Sequence, residues 1–326
     1  MTWQAVAQKD FEDAVRSRWL WGLSILFVGI IGAVPAILFG YYAPPDTSAD
    51  VLFGASGSIP LAGVSLSYAG ILAFVIAFIA LVSSHGSVID ERESGTLKLL
   101  LSLPHSRFDV IAGKSIGRTV VVALPVLVGF LVAGASLVAL STSVTVEAFV
   151  PQVALTLLVA AVFVSLGTGV SAAAGSNRQA TLGIFGLYFL LAFLWALFAS
   201  GFSTLVNEAL KRIPSVEPLS GAAAAELRLF VKYLNPLRAY ETLVAMLYTD
   251  SVFGARMVKA GFLEQRLLAD RFCPNGLAQS GQSLCQGGVD PVVPWYFSNG
   301  FLLAVLLAWL VVPPLLGYWV FREQDL

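Results

Sequence analysis

Six long apolar stretches constrain the fold of this chain more than any other feature. Each is mainly apolar and contains no Asp, Glu, Lys or Arg. A helix needs about 20 such residues to cross the roughly 30 Å hydrocarbon core of a bilayer. In chain order, spans 1 to 6 are Trp19–Tyr42, Ser65–Ile89, Thr119–Leu140, Pro151–Gly175, Ala180–Val206 and Trp295–Phe321. The first stretch is too long for the apolar region of a signal peptide. The sequence therefore predicts an all-α integral membrane protein with six transmembrane helices.

The composition agrees with this class and excludes others. Of the 326 residues, 57% are hydrophobic and only 12% are charged, and the mean hydropathy is +0.82. Soluble domains carry about 25% charged residues, so this chain has too little charge to cover a water-facing surface. The same numbers exclude an intrinsically disordered chain, a basic nucleic-acid-binding protein and a disulfide-rich secreted scaffold.

The distribution of basic residues predicts the orientation, because short cytoplasmic loops are enriched in Lys and Arg. The connections Ala43–Val64 and Ser141–Val150 contain no basic residue. The connections and tails on the other side contain Lys9, Arg16, Arg18, Arg92, Lys98, Arg107, Lys114, Arg118, Arg178 and Arg322. We therefore expect a multi-pass protein of the cell membrane with both termini in the cytoplasm.

The spans divide the chain into four regions. These are 1–18, an amphipathic interfacial helix; 19–206, spans 1 to 5 with a cytoplasmic connection at 90–115; 207–294, an extracellular loop or cap; and 295–326, span 6 with the C-terminus. Within the first region Trp3, Val6 and Phe11 share one helical face, and Lys9 and Glu12 share the opposite face. Such a helix lies in the plane of the membrane interface.

The long connection between spans 5 and 6 contains both cysteines of the chain, Cys273 and Cys285. On the outer side of the membrane an oxidising compartment favours a disulfide between them, and two free thiols are the alternative. Two cysteines without a nearby His are a poor metal site. The stretch Ala222–Tyr248 is predicted as short helices that lie on the outer leaflet or cap the spans.

The connection at 90–115 is the most informative segment. It begins D-E-R-E-S-G-T-L-K-L-L-L-S-L-P-H-S-R. Five leucines surround a short helix that Pro104 ends, and Ser106 with Asp109 forms a capping pair for the next helix. Leucines on the water side of a membrane need cover, either from lipid headgroups and the chain's own spans or from a docked protein. The residues alone favour neither.

This segment resembles the signature of ABC-transporter permeases of the type 2 export family. The shared pattern is an acidic residue, Gly95-Thr96-Leu97, several leucines, Pro104-x-Ser106-Arg107 and then Gly113-Lys114. In that family the segment is a coupling helix between spans 2 and 3 that docks on a separate ATP-binding subunit. The resemblance implies that the docking residues are Glu91, Gly95, Thr96, Leu97, Leu100, Leu101 and Pro104.

The resemblance also implies the partners. Two copies of the permease surround one pathway, with spans 1 and 5 of each copy facing the other, and ATP and Mg bind in the partner subunit. The large outer loop is similar to the subgroup that includes permeases linked to copper-site maturation. This chain is expected to hold no cofactor, metal or catalytic site and to bind no nucleic acid. Its Ala112–Ser115 stretch lacks the upstream glycine of a P-loop, since Phe108 stands there.

Small residues mark candidate helix seams. Span 1 carries Gly29, Ala33, Ala36 and Gly40 down one side, and Gly113 with Gly117 forms a G-x-x-x-G motif at the start of span 3. Such residues let helices pack closely. The sequence leaves open whether these seams serve packing within one chain or between two copies.

The six spans contain no charge that a coupling ion would need, so an external energy source such as ATP fits better. A pathway lined by apolar and neutral polar side chains suits an amphiphilic substrate. We therefore expect the permease subunit of an ATP-driven ABC exporter. The alternative is an assembly or sensor component that docks a soluble partner through residues 90–104 and transports nothing.

Overall fold

The computed structural model describes residues 3–15, 18–37, 58–61, 64–97, 102, 106–140, 146–214, 216–248 and 294–323. The first half comprises α1 (Trp3–Val15), α2 (Arg18–Phe27), a π-helical turn (Val28–Ala33), α3 (Val34–Ile37), β1 (Ser58–Leu61), β2 (Val64–Ser67), α4 (Tyr68–Ser84), α5 (Ile89–Glu93) and α6 (Arg107–Leu140). The second half comprises α7 (Val146–Ala173), α8 (Asn177–Phe189), a π-helical turn (Leu190–Leu194), α9 (Trp195–Lys211), α10 (Gly221–Tyr233), α11 (Pro236–Leu247), a 3-10 turn (Trp295–Phe297) and α12 (Asn299–Glu323).

Five helical segments in the described part of the chain are long and apolar enough to cross a membrane. They correspond to predicted spans 2 to 6, so the class of integral membrane protein is confirmed. Span 1 comprises α2, the first π-helical turn and α3, and residues 38–42 of its predicted range lie outside the described residues. The count of six spans therefore stays a prediction.

One short hairpin departs from the expected all-α class. Strands β1 and β2 pair antiparallel, with Ser58 opposite Ser67 and Leu61 opposite Val64. The helix of span 2 consequently begins at Tyr68, three residues later than predicted. The sequence of β2, Val-Ser-Leu-Ser, alternates apolar and polar residues with the period of two that is typical of a strand.

Span 4 (α7) occupies the centre and packs against spans 2, 3 and 6. Glycines permit these close crossings. A Cβ placed on Gly167 would clash with the Ser84 hydroxyl of span 2. Gly169 and Gly317 face each other where spans 4 and 6 cross, and neither has room for a Cβ. These contacts join spans 2, 4 and 6 into one packed unit.

Inside span 6, a proline leaves one backbone carbonyl without its helical hydrogen bond, and a serine hydroxyl of span 4 bonds that carbonyl instead. Pro314 has no N–H, so the carbonyl of Leu310 lacks its helical donor. The Ser165 hydroxyl of span 4 donates a hydrogen bond to that carbonyl. A membrane interior offers no water to replace such a donor, and this bond therefore keeps the helix continuous through Pro313 and Pro314.

The predicted small-residue seams are used differently from one another. A Cβ on Gly113 would lie 2.7 Å from the carbonyl oxygen of Trp3, and one on Gly117 would lie 3.0 Å from that of Ala7. This G-x-x-x-G motif thus seats α1 of the same chain. On span 1 it is Gly32 that packs against span 3, whereas a Cβ placed on Gly29 would have no atom of the described residues within 4 Å.

The other residues of the predicted span 1 seam give less information about what the seam contacts. Ala33 and Ala36 are half-buried, and Gly40 lies outside the described residues. The faces of Gly22 and Gly29 are open within the described part of one chain. A contact between two copies therefore stays a prediction for the seam formed by Gly29, Ala33, Ala36 and Gly40.

Helices α10 and α11 form a hairpin that inserts among the spans, which corrects the expected placement on the outer surface. The Asn235 amide at its vertex donates to the Leu191 carbonyl of span 5 at 2.7 Å, and the Trp309 indole of span 6 donates to the Leu234 carbonyl at 2.8 Å. Tyr240 of α11 bonds the Thr156 hydroxyl of span 4 at 2.8 Å.

The depth of this vertex follows from helix geometry. Leu191 lies 13 residues from Arg178, and Trp309 lies 13 residues from Arg322. At 1.5 Å per residue both are about 20 Å from those charges, inside a hydrocarbon core of about 30 Å. Sequence analysis predicts short helices here that lie on the outer leaflet or cap the spans, and the charges of the hairpin interrupt its apolar windows. Residues 249–293, including Cys273 and Cys285, lie outside the described residues.

Candidate coupling surface

The candidate site lies at the end of the bundle where α1, α5 and the last turn of α12 meet, which we call the termini end. Span 2 ends at Ser84 and a tight turn leads into α5. Gly86 occupies this turn because a Cβ there would clash with the carboxylate of Asp90. The Ser171 hydroxyl of span 4 accepts hydrogen bonds from the N–H groups of Val88 and Ile89 at 3.1 and 3.2 Å. Span 4 therefore fixes the start of α5.

Two acidic residues of α5 contact the connection between spans 4 and 5. The Asn177 side-chain amide donates to Asp90 at 2.6 Å, and the Asn177 backbone N–H donates to Glu93 at 2.8 Å. Asn177 is the first residue of α8, where backbone N–H groups lack helical acceptors. The two carboxylates thus accept hydrogen bonds from Asn177. Their negative charge also stabilises the N-terminus of this helix, where span 5 begins.

Glu91, between those two acids, takes part in an ion-pair network. Its carboxylate lies 2.9 Å from Lys114 Nζ of α6, in the part of that helix that precedes span 3, and the same ammonium lies 3.7 Å from Asp10 of α1. Arg118 Nε, also in α6 before span 3, lies 3.3 Å from Asp10, and its guanidinium also donates to the Ser83 carbonyl. Two cations and two anions therefore meet over distances of up to 3.7 Å.

The charged groups of this network are buried, so their pairing matters for stability. The side chain of Lys114 is 1% exposed and that of Asp10 is 7% exposed. A charge in such surroundings is costly unless an opposite charge and hydrogen bonds compensate it. The arrangement fixes α1, α5 and span 3 relative to one another, and Lys9 adds a more distant contact to Glu91 at 3.8 Å.

Two arginines connect the segment with the end of span 6. Arg107 donates to the carbonyls of Phe321 and Arg322 at 2.6 and 2.8 Å, and Arg92 donates to the Ala174 carbonyl at 3.0 Å. Both guanidinium groups approach the Phe321 ring, at 5.6 Å for Arg92 and 5.2 Å for Arg107. Cations at a helix C-terminus and over an aromatic ring are both stabilised.

The surface of the segment begins at Gly95, whose φ of +76° lies in the left-handed region. Glycine adopts this conformation without a Cβ penalty. No atom of the described residues lies within 4 Å of a Cβ placed on Gly95, so within that part of the chain the glycine is explained by its turn and not by a close contact. Thr96 is exposed, and its hydroxyl is 2.9 Å from that of Ser94.

Leu97 is directed inward instead. It is 1% exposed and packs in a cluster with Val88, Val110, Ile111 and Phe321. The docking contact that the resemblance implies for this side chain stays a prediction, and within the chain the side chain is covered by its own helices. The leucine is used to anchor the segment on spans 3 and 6. Glu91 is likewise engaged inside the chain, by Lys114.

The predicted docking residues therefore fall into three groups. Glu91 and Leu97 face the chain's own spans, whereas Gly95 is half-buried and Thr96 is exposed. Leu100, Leu101 and Pro104 lie outside the described residues. Docking by any of them stays a prediction. The predicted capping pair is confirmed, since Ser106 N–H donates to Asp109 at 3.0 Å and Asp109 N–H donates to Ser106 at 3.1 Å.

Sequence reasoning missed Asp10, Ser171, Asn177 and Phe321 as partners of this segment. For Asp10 a signal existed, because it lies four residues after Val6 and so on the apolar face of α1. Over the described residues no group of three or more His, Cys, Asp or Glu side chains forms a metal site. What the arrangement can do is mechanical: it connects one exposed turn with α1 and with spans 3, 4, 5 and 6.

Comparison with known proteins adds to this geometry. The model of a family described as ABC-2 family transporter protein matches residues 4–326. The chain is 30% identical over 202 residues to the probable ABC transporter permease protein NosY of Pseudomonas aeruginosa, covering 59% of this chain and 67% of that protein. It is 34% identical over 131 residues to the probable ABC transporter permease protein NosY of Stutzerimonas stutzeri, covering 38% of this chain and 41% of that protein.

Proposed function

Because the chain belongs to the ABC-2 family of transporter proteins, we propose that it is the permease subunit of an ATP-driven exporter whose ATP is hydrolysed by a separate subunit. The observation that carries the proposal is the bonding of one short helix, α5, to four spans. Asp90 and Glu93 contact span 5, Glu91 contacts span 3, and Arg92 contacts the ends of spans 4 and 6.

In this proposal the ATP-binding subunit docks at the termini end, which faces the cytoplasm. Its closure on ATP pushes on the exposed turn at Gly95 and Thr96. Since Leu97 is buried against spans 3 and 6, the turn cannot move without them. The Glu91–Lys114 ion pair transmits the same displacement to span 3 and, through Asp10, to α1. The spans tilt together and the pathway changes its access.

A second copy of the chain completes the pathway in this proposal. Support comes from the open faces of spans 1 and 5. A Cβ placed on Gly22 or Gly29 of span 1, or on Gly186 or Gly201 of span 5, would have no atom of the described residues within 4 Å. Large exposed side chains accompany the glycines of span 5, namely Leu182, Phe185, Phe189, Phe193, Leu197, Phe202 and Leu205.

An amphiphilic substrate fits two apolar grooves that flank span 6. One groove, of about 480 Å³, lies between spans 4, 5 and 6, and Gly169, Leu187 and Trp309 contribute to its lining. The other, of about 440 Å³, lies between spans 3, 4 and 6. Concave apolar surfaces of this size accommodate a small organic molecule.

The experiment is co-purification of the chain with its candidate ATP-binding subunit. Wild type is compared with Gly95→Trp and Leu100→Asp, and with Glu217→Gln, an exposed position in the connection after α9, as the matched control. We expect wild type and the control to retain the partner and the other two variants to lose it, at unchanged monodispersity. Equal retention by all four would exclude this segment as the docking surface.

A second measurement separates transport from mere assembly. The complex is reconstituted in lipid vesicles and ATP hydrolysis by the partner is measured with and without candidate amphiphiles. A permease predicts hydrolysis that responds to substrate. Docking with hydrolysis that no amphiphile changes would favour the assembly or sensor component.

A further inference from the structure

Spans 1 and 5 each contain a π-helical turn, and the two turns lie at the same depth. Val28–Ala33 follows Arg18 by 10 to 15 residues, and Leu190–Leu194 follows Arg178 by 12 to 16. At 1.5 Å per residue both turns are about 20 Å from these arginines of the termini end, and so inside the hydrocarbon core. No other π-helical turn occurs in the described part of the chain. Such turns interrupt the regular α-helix and are frequent at functional sites.

The turn in span 1 takes a hydrogen-bond donor from span 2. Pro35 follows the turn and has no N–H, so the carbonyl of Ile31 loses the donor that an α-helix would supply four residues later. The Tyr68 hydroxyl at the start of span 2 donates to this carbonyl at 3.0 Å and to that of Ile30 at 3.3 Å. Tyr68 is fully buried. Its hydroxyl therefore replaces the donor that the proline removes.

The turn in span 5 likewise takes a donor from outside its own helix. The Asn235 amide at the vertex of the α10–α11 hairpin donates to the Leu191 carbonyl at 2.7 Å, and Asn235 is buried. A membrane interior offers no water that could replace either donor. One buried side chain thus supports each turn, Tyr68 in span 1 and Asn235 in span 5.

The turn in span 5 separates two halves with different attachments. In the inner half, α8, the Tyr188 hydroxyl donates to the Phe74 carbonyl of span 2 at 3.1 Å. The outer half, α9, packs mainly against α10, and the Trp195 indole at its start donates to the Val231 carbonyl of α10 at 2.9 Å. Much of the remaining surface of α9 is exposed within the described part of one chain. A bend at the turn can therefore move α9 while α8 stays attached to span 2.

We propose that these turns are hinges of the two spans, and that α9 swings about the turn in span 5 to open or close the outer side of the pathway. A few residues that absorb a change in backbone angles are sufficient for such a motion. The equal depth lets both spans bend at one level of the bundle. The gating role rests on the proposed function, since it needs a pathway beside spans 1 and 5, whereas the hinges themselves do not.

The test is hydrogen–deuterium exchange with mass spectrometry on the full chain in nanodiscs, without the partner subunit. A hinge predicts that residues 190–194 exchange faster than residues 181–187 and 197–203, the α-helical parts on either side. Fraying from the ends of the span would give the opposite order, because protection then rises with depth. Exchange in the turn that is no faster than in its flanks overturns the proposal. This comparison uses wild type alone, so it holds even if a variant does not fold.

Two variants address the two turns separately. Tyr68→Phe removes the donor to the turn in span 1, and Asn235→Ser removes the donor to the turn in span 5 while the cap of α11 remains. We expect exchange about fivefold faster in residues 28–33 for the first variant and in residues 190–194 for the second. Each variant should leave the other turn unchanged, and Ser200→Ala, which removes a hydroxyl from α9, should leave both unchanged. A variant that affects both turns alike, or neither, contradicts the role of these donors.

Addition of the ATP-binding subunit distinguishes the gate from the proposed function. In the complex, a non-hydrolysable ATP analogue should change exchange in residues 190–194 severalfold and leave residues 181–187 unchanged. If hydrolysis responds to an amphiphile but exchange in the turn does not respond to the analogue, the gating role is overturned and the permease assignment stands. If no amphiphile changes hydrolysis, the permease assignment fails, and the exchange order in the chain alone still decides the hinge.

Discussion

Lys114 Nζ lies 2.9 Å from the Glu91 carboxylate, and this ion pair connects the start of span 3 with the helix that follows span 2. The lysine is 1% exposed and the glutamate 19% exposed. The pair is thus largely withdrawn from water, where ion pairs act mainly as specific positioning contacts and only weakly as sources of stability. Its removal is the most direct way to separate the exposed turn at Gly95 from the spans.

We expect Lys114→Met to destabilise the protein by about 2 kcal/mol, because it leaves the carboxylates of Asp10 and Glu91 without their shared cation. The neighbouring Arg118 and Lys9 compensate in part. Thermal unfolding in nanodiscs measures the effect, with Lys211→Met as an exposed control. The double variant Glu91→Gln/Lys114→Met should lose less than the sum of the single variants. An unchanged midpoint in Lys114→Met would contradict the role of the pair.

Much of this end of the molecule is predictable from the sequence. The 90–115 motif indicates the family, and the family model confirms that resemblance. The motif also contains Glu91 and Lys114, but spacing cannot show that a lysine 23 residues away is the partner of a glutamate. That pairing depends on how spans 2 and 3 cross. The packing of Leu97 against spans 3 and 6 could not be predicted for a related reason, because five leucines surround the predicted short helix and only the tertiary structure decides which of them face the chain's own spans.

The hairpin escaped prediction because of its charges. Arg228, Lys232 and Arg238 interrupt every apolar window between residues 221 and 247. A hydropathy argument therefore assigns the segment to the outer surface. The structure inserts it because its apolar face, with Leu237, Tyr240 and Val244, is buried against the spans.

Gly113 and Gly29 provide a matched test of the small-residue seams. Gly113→Val should lower the midpoint of thermal unfolding by several degrees and expose α1 to proteolysis, because its Cβ would meet Trp3 and Val6 of α1 at 2.7 Å. Gly29→Val has open space within the described part of one chain and should leave that midpoint unchanged. If two copies meet at span 1, the same variant reduces the dimer fraction in size-exclusion chromatography with light scattering. Equal midpoints for the two variants would argue against the seating of α1 on Gly113.

Substitutions at Gly95 should follow the cost of its backbone conformation. Ala at a φ of +76° costs about 1 kcal/mol, whereas Asn tolerates this region better. If the turn is the docking surface, affinity for the ATP-binding subunit should fall about fivefold for Gly95→Ala and less for Gly95→Asn. Titration of the partner on immobilised permease measures both, with Ser94→Ala as a neighbouring control. If Gly95→Asn binds the partner more weakly than Gly95→Ala does, backbone conformation is excluded as the cause of the lost affinity.

Asn235 performs two functions that substitution can separate. Its side-chain oxygen accepts from the Leu237 N–H at 2.8 Å and caps α11, while its amide donates to Leu191 at 2.7 Å. Asn235→Ser retains the cap alone and should cost about 1 kcal/mol; Asn235→Leu removes both bonds and should cost about 3 kcal/mol. Unfolding of both variants in nanodiscs gives the order. Equal losses would mean that the bond to span 5 contributes little to anchoring the hairpin.

Ser165 and Pro314 allow a test by rescue. Ser165→Ala removes the donor to the Leu310 carbonyl, which Pro314 leaves without a helical partner, and an unpaired buried carbonyl costs about 2 kcal/mol. Pro314→Ala supplies the missing N–H from within the helix. The double variant Ser165→Ala/Pro314→Ala should therefore regain most of the stability that Ser165→Ala loses. Ser200→Ala is the control, since the Ser200 hydroxyl bonds the Ala196 carbonyl within its own helix. Additive losses in the double variant would show that the serine stabilises span 6 by packing and not by satisfying the carbonyl.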